Sequence, residues 1–167
     1  TGIYGVFWDP EKQGGLGDIA LSRVDVLNLY WESGITDLQQ SRNLFYLRME
    51  DNDRLLEAYP QLEGKLTGEA DAGQKPQTED RVDTTDKTTV IDWYYKKMQQ
   101  GKTVLHYCKF VGDTVLFATE NRPEYRQRGW YDHGLYPFIM DPLFRTAGSP
   151  CGFGYIDVAK SAQEYVD

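Results

Sequence analysis

Along residues 2–9, GIYGVFWD, apolar positions alternate and then stop at Asp9-Pro10, a turn signal that opens the loose EKQGGLG. The pattern predicts a strand. Residues 18–32, DIALSRVDVLNLYWE, resume strand character, so the two runs are expected to pair as an antiparallel hairpin across the Gly-rich loop. SGITDLQQS (33–41) reads as a connection, and NLFYLRM (43–49) as a further strand. Its alternation puts Leu44, Tyr46 and Arg48 on one face and Phe45, Leu47 and Met49 on the other. EDNDRLLEAYP then predicts a short helix: Asp51 or Asn52 caps it, Leu55, Leu56 and Tyr59 form its stripe, and Pro60 stops it.

Residues 66–89 break the pattern. They hold no aromatic residue and mix Gly, Pro, Thr and acids, so they cannot bury enough apolar surface to offset ordering. A flexible acidic and polar insert is expected there, interrupting a single β-rich domain made of 1–65 and 90–167. Strand patterns resume at once: 90–98, 103–111 and 114–119 are separated by QQGK and GD, joints short enough for tight hairpins and an antiparallel meander. Near the end, DVAKSAQEYVD (157–167) has helical composition. The expected fold class is α+β, mostly antiparallel β in meander and hairpins, with one or two short helices.

Composition reinforces the strand reading. Aromatics make up 14% of the 167 residues, with 12 Tyr and 4 Trp, and such rings suit the half-buried faces of sheets. Charge narrows function. With 26 acidic against 18 basic residues the net charge is −8, and no basic block is present to displace counterions from phosphates. Sequence-specific nucleic-acid binding is therefore not expected, and the acidity reads first as a solubility device. No run approaches the ~18–20 apolar residues of a membrane span, and no signal peptide is visible. The chain opens at Thr1 inside a strand pattern without an initiator Met, which points to an excised piece of something larger.

Candidate chemistry is sparse. Cys108 and Cys151 have no close partner, which fits neither a zinc knuckle nor a secreted disulfide framework and suits a reducing cytoplasm. His106 and Cys108 lie two apart on one strand and share a face; with His133 and Cys151 they form the one conceivable zinc set, against the ordinary reading of a packed Cys and a hydrogen-bonded His. A Cys151–His133 dyad lacks an orienting third group, and GSPCG (148–152) has Pro150 where a nucleophile elbow needs Ser. Asp51-Asn52-Asp53 suggests calcium, but the sixth loop position is Leu56 rather than Gly. No catalytic residue, metal ligand or cofactor is assigned.

The densest stretch, RQRGWYDHGLYPFIMDPLFRTAGSPCGFGYIDVAK (126–160), reads as architecture. Gly129 and Gly134 give turns around WYDH, Tyr136-Pro137 is an extended entry, FIM is a short buried strand, and Asp141-Pro142 ends it. Gly148, Pro150, Gly152 and Gly154 are expected to form a stiff turn into the last helix. Trp130, Tyr131, Tyr136 and Phe138 are expected to supply the packing of this stretch.

The same stretch carries a resemblance. FVGDTVLFATENRPEYRQRGWYDHGLYPFIMDPLF followed by GSPCGFGYIDVAKSAQEYVD is similar to the portal proteins of tailed bacteriophages, with their G-D-x-x-L hairpin, aromatic-glycine-Tyr-Pro-Phe strand, Gly-rich passage and helix with K-x-x-Q, here Lys160 and Gln163. Upstream, GDIALSRVDVLNLYWESGITDLQQSRNLFYLRMEDNDRLLEAYP fits as well, although Val26-Leu27 stands where a turn with Asp-Pro character is usual. The resemblance covers nearly the whole chain outside 66–89 and includes no catalytic motif. It implies a structural subunit of the head-tail connector. The full-length protein would form a ring, dodecameric in this family, at one capsid vertex of the virion and assemble in the host cytoplasm. That ring is the DNA entry and exit channel, and its partners are other portal subunits, capsid or scaffolding protein, the terminase of DNA packaging and a tail adaptor. This chain resembles the peripheral wing that precedes the channel-lining stem. Two rival readings are a small Cys/His enzyme and a generic β-rich protein-binding module.

Overall fold

The computed structural model describes residues 1–66 and 85–164. In chain order these form β1 (Gly2–Asp9), α1 (Lys12–Gly15), β2 (Asp18–Val24), β3 (Leu29–Trp31), β4 (Asn43–Asp51), α2 (Asn52–Ala58) and β5 (Lys87–Gln99). There follow β6 (Lys102–Val111), β7 (Thr114–Ala118), α3 (Pro123–Arg126), β8 (Phe138–Asp141), β9 (Phe144–Arg145), β10 (Gly152–Phe153) and α4 (Tyr155–Glu164). Every strand pairing is antiparallel, and the helices are short: the fold is α+β, mostly antiparallel β. Most of the expected insert, residues 67–84, lies outside the described residues. At its described ends, Leu66 packs on the Leu55, Leu62 and Val90 cluster, and 87–89 are not loop but pair with Glu50 and its neighbours as the start of β5.

The chain groups into two compact units. The first comprises 1–26, 32–41 and 136–167. Its main sheet has the order β2-β1-β8, and β9 pairs with β10 as a separate ribbon. β1 and β2 form the expected hairpin, in register from Ile3 opposite Val24 to Asp9 opposite Asp18. Ile3, Val24, Leu38, Tyr136 and Phe138 are buried in it, with the Phe7 ring edge-on to Phe138 at 5.8 Å.

The second unit comprises 27–31 and 42–135, and its sheet runs β3-β4-β5-β6-β7. The meander follows from its joints. Gln100 and Gly101 both have positive φ (49° and 79°), the pattern of a two-residue type I′ turn whose twist matches the flanking strands. Gly112, at φ 55°, plays the corresponding part between β6 and β7. A register shift at Lys109/Phe110 adds a bulge.

Two expectations need correction. The run 18–32 is not one strand: Val24, at the end of β2, is buried in the first unit, and Leu29, at the start of β3, is buried in the second. A 3₁₀ turn over Val26–Asn28 separates the two strands, and β3 pairs with β4 rather than with β1. Nor does an Asp51 or Asn52 side chain cap α2. Asp51 accepts an ion pair from Lys87 at 3.0 Å, and Asn52 Oδ1 accepts from the Thr88 hydroxyl at 2.6 Å, so the helix start is tied to β5 rather than to its own amides.

Candidate functional site

The Gly- and aromatic-rich stretch divides between the units after Leu135. Trp130, Tyr131 and Gly134 belong to the second unit. There the Trp130 amide donates to the Leu105 carbonyl at 2.7 Å, which clips the loop onto β6. Gly129 makes this possible. Its φ is 80°, and a Cβ there would land against the Leu105 carbonyl oxygen and 2.6 Å from Val104 Cγ1. The Trp130 ring, half-buried rather than fully buried, joins Tyr107 (5.0 Å between centroids), Phe117 (5.4 Å), Tyr125 (5.3 Å) and Tyr131 (5.8 Å). Gly134 turns the chain at φ 67°, its Cα close enough to β6 that a Cβ would meet the Thr103 carbonyl at 3.1 Å.

Tyr136, Pro137 and Phe138 are buried in the first unit. The Pro137 carbonyl accepts from the Val6 amide at 2.8 Å, and the Tyr136 hydroxyl donates to the Ser41 carbonyl at 2.8 Å. Gln39 meets the other side of this segment: its Oε1 accepts from the Tyr136 amide at 2.9 Å while its Nε2 donates to the Tyr136 and Phe138 carbonyls at 3.1 and 3.4 Å. Burial pushes the Tyr136 phenol well above its ordinary value, so it stays a donor.

Gly152 is not simply part of a stiff turn. It sits in β10 opposite Arg145, so close that a Cβ would overlap the Phe144 carbonyl and lie 2.8 Å from Pro142 Cβ. The Phe144 and Phe153 rings stack at 5.2 Å, and Tyr155 at the start of α4 stands edge-on to Phe144. Gly154 has no such neighbour; its amide donates to Asp157 Oδ2 at 2.9 Å at the head of α4. A groove of about 510 Å³ runs beside this ribbon, lined among others by Asp37, Gln39, Met140, Arg145, Thr146 and Ser149. Asp37 Oδ1 accepts from the Gln39 amide at 2.9 Å.

His106 and Cys108 are held in packing roles, whereas His133 is exposed and Cys151 is half-buried. His106 is fully buried, with Nε2 2.9 Å from Gln99 Nε2 and Nδ1 3.0 Å from Thr119 Oγ1. With the Gln99 amide donating, Nδ1 carries the proton and donates to Thr119, whose hydroxyl also bonds the Tyr107 backbone. Burial lowers the imidazole pKa and favours the neutral ring. Both nitrogens are occupied. Cys108 is buried on the same face, where burial and then the nearby Glu120 carboxylate raise its thiol pKa, the opposite of what a nucleophile needs. His133 is exposed, its Nδ1 accepting from the Leu135 amide at 3.0 Å and its ring stacked on Tyr131. Among the described residues, no group of three or more His, Cys, Asp and Glu is placed to hold a metal ion.

One polar cluster was not anticipated. Asp92, on β5, is buried beneath a Tyr107 hydroxyl that donates at 2.5 Å and an Arg48 Nε that donates at 2.6 Å. Burial works against the Arg48 charge, but the Asp92 and Glu50 carboxylates outweigh it and hold the guanidinium above its ordinary value. The Tyr107 phenol is pushed far up by burial and by the Asp92 charge. The sequence does carry a trace of this cluster: an acid at the inward position between Val90 and Tyr94, on the same sheet face as Arg48. Paired and satisfied, these groups knit β4, β5 and β6 and leave no free acid or base.

Comparison of the sequence with protein-family models finds no match, and comparison with curated proteins finds none.

Proposed function

We propose that this chain is a structural module of a phage portal, its peripheral wing, and that it carries no catalytic centre. One observation carries the reading: the residues of the resemblance are spent on closing the backbone. Gly129 and Gly152 each press against a carbonyl, Tyr136–Phe138 run from a buried hydroxyl bond into β8, and Gly154 leads into α4. Of the Cys and His residues an enzyme of that kind could draw on, His106 and Cys108 do the reverse of what catalysis asks, with a neutral, doubly bonded His106 and a protonated, buried Cys108. The acidic surface suits contact with protein neighbours rather than a grip on DNA phosphates.

The test is localisation and stoichiometry in particles. Immunogold labelling of purified virions with an antibody to this chain is expected at a single capsid vertex, with a dodecameric copy number by quantitative mass spectrometry. Label spread over the whole capsid, or absence of the chain from particles, would refute the proposal.

A further inference from the structure

An antiparallel sheet with one face in water normally turns polar side chains to that face. The β2-β1-β8 sheet does the opposite. Its inner face carries Ile3, Val24 and Phe138, all buried. The outer face carries Tyr4, Val6 and Trp8 on β1, Leu21 opposite Val6, Ile19 opposite Trp8, and Ile139 opposite Tyr4. These outer residues are open: Tyr4 50%, Trp8 63%, Ile19 59%, Leu21 71% and Ile139 57%. Trp8 is also held in place, since its ring lies over Gly17 so closely that a Cβ there would sit 2.7 Å from Cε2.

We propose that this face is an interface between two copies of the chain, packed face to face as the two layers of a sandwich. Area argues for it. At about 150–250 Å² per large side chain, the five exposed residues leave roughly 600 Å² of mostly apolar surface, the upper end of what a soluble monomer shows. Two such faces bury about 1,200 Å² together, which reaches the size of a specific interface.

Charge selects a second copy rather than another partner. The apolar patch is flanked by Arg23 on β2, opposite Tyr4, and by Asp141 on β8, opposite Gly2. Both are exposed. A two-fold axis along β1 lays β2 of one copy over β8 of the other, so Arg23 meets the Asp141 of its mate and the reverse holds on the other side. The two levels differ by two residues, roughly 6.6 Å along the strands, within the reach of an arginine and of the ~30° rotation between packed sheets. The surface is thus complementary to itself, as a two-fold contact requires. This contact does not rest on the portal reading.

Sedimentation velocity of the whole chain tests it. A monomer–dimer equilibrium in the micromolar range is expected. Leu21→Lys and Ile139→Lys, on different strands and both already exposed, should each weaken it at least tenfold with an unchanged thermal melt. Arg23→Asp and Asp141→Arg should each weaken self-association, and mixing the two variants should restore dimers, since each copy then supplies the charge the other lacks. A wild-type chain that stays monomeric, dimers indifferent to Leu21→Lys and Ile139→Lys, or a mixture no tighter than either charge variant alone would overturn the proposal.

Discussion

Replacing Gly129 with alanine isolates the clip that holds the Trp130 loop to β6. Two costs add. An L-residue at φ 80° gives up about 1–2 kcal/mol to left-handed strain. The new methyl would also press into the Leu105 carbonyl and Val104, and relief by a backbone shift costs about 1–3 kcal/mol. That shift pulls against the Trp130 amide bond to the same carbonyl, worth about 0.5–1.5 kcal/mol. The expected loss is about 2.5–6.5 kcal/mol, a large share of the ~5–15 kcal/mol that holds a domain folded. Gly101→Ala is the control: it lies in the same unit, has nearly the same φ of 79°, and has nothing within 4 Å of its Cβ position. It should cost only the strain, about 1–2 kcal/mol. Urea melts followed by tryptophan fluorescence measure both. If Gly129→Ala is no worse than Gly101→Ala, the close approach to Leu105 contributes nothing and the clip is wrong.

The second pair of variants separates the two late glycines. Gly152→Ala should cost about 2–3 kcal/mol because its methyl meets Phe144 backbone, whereas Gly154→Ala should change a melt by less than ~0.5 kcal/mol; equal effects would refute the β9–β10 contact. For His106 the folded pKa is lowered by burial, so the unfolded chain binds the extra proton first. Stability is therefore full above the ordinary histidine value of about 6.5 and falls as pH drops below it. Urea melts from neutral to mildly acidic pH should show that fall, and His106→Gln should flatten it. Cys108 should react slowly with a disulfide reagent in the native chain and fast after unfolding, its thiol being buried and raised; rapid native labelling at Cys108 would contradict its packing.

What the sequence made legible was periodicity and punctuation. β1, β4 and the β5–β7 meander follow from alternation bounded by Asp9-Pro10, Gln100-Gly101 and Gly112, because a strand's face and a turn's φ are local properties. The break at Asp25 was hidden, since nothing local in an apolar run tells that Val24 pairs into one sheet and Leu29 into another. The division of the aromatic stretch after Leu135 was hidden for a related reason. Trp130 lies against Tyr107 and Phe117, and Phe138 against Phe7, partners far off in sequence. His106 and Cys108 were legible as sharing a face, whereas Thr119, which occupies one ring nitrogen, sits beyond a turn and a bulge that no local pattern ties to it. Gln39 left no trace at all in the pattern, being one glutamine in a polar connection.

That glutamine decides where a sheet ends. β8 is the last strand of its sheet, and the last strand of any sheet offers backbone donors and acceptors to whatever extended chain arrives. The Gln39 amide has the same donor and acceptor as a peptide unit, and it fills the Tyr136 and Phe138 positions as one residue of a neighbouring strand would. It is a strand one side chain long. Growth of the sheet by addition of foreign chains is blocked there by covalent attachment of the blocking group, at no cost in concentration.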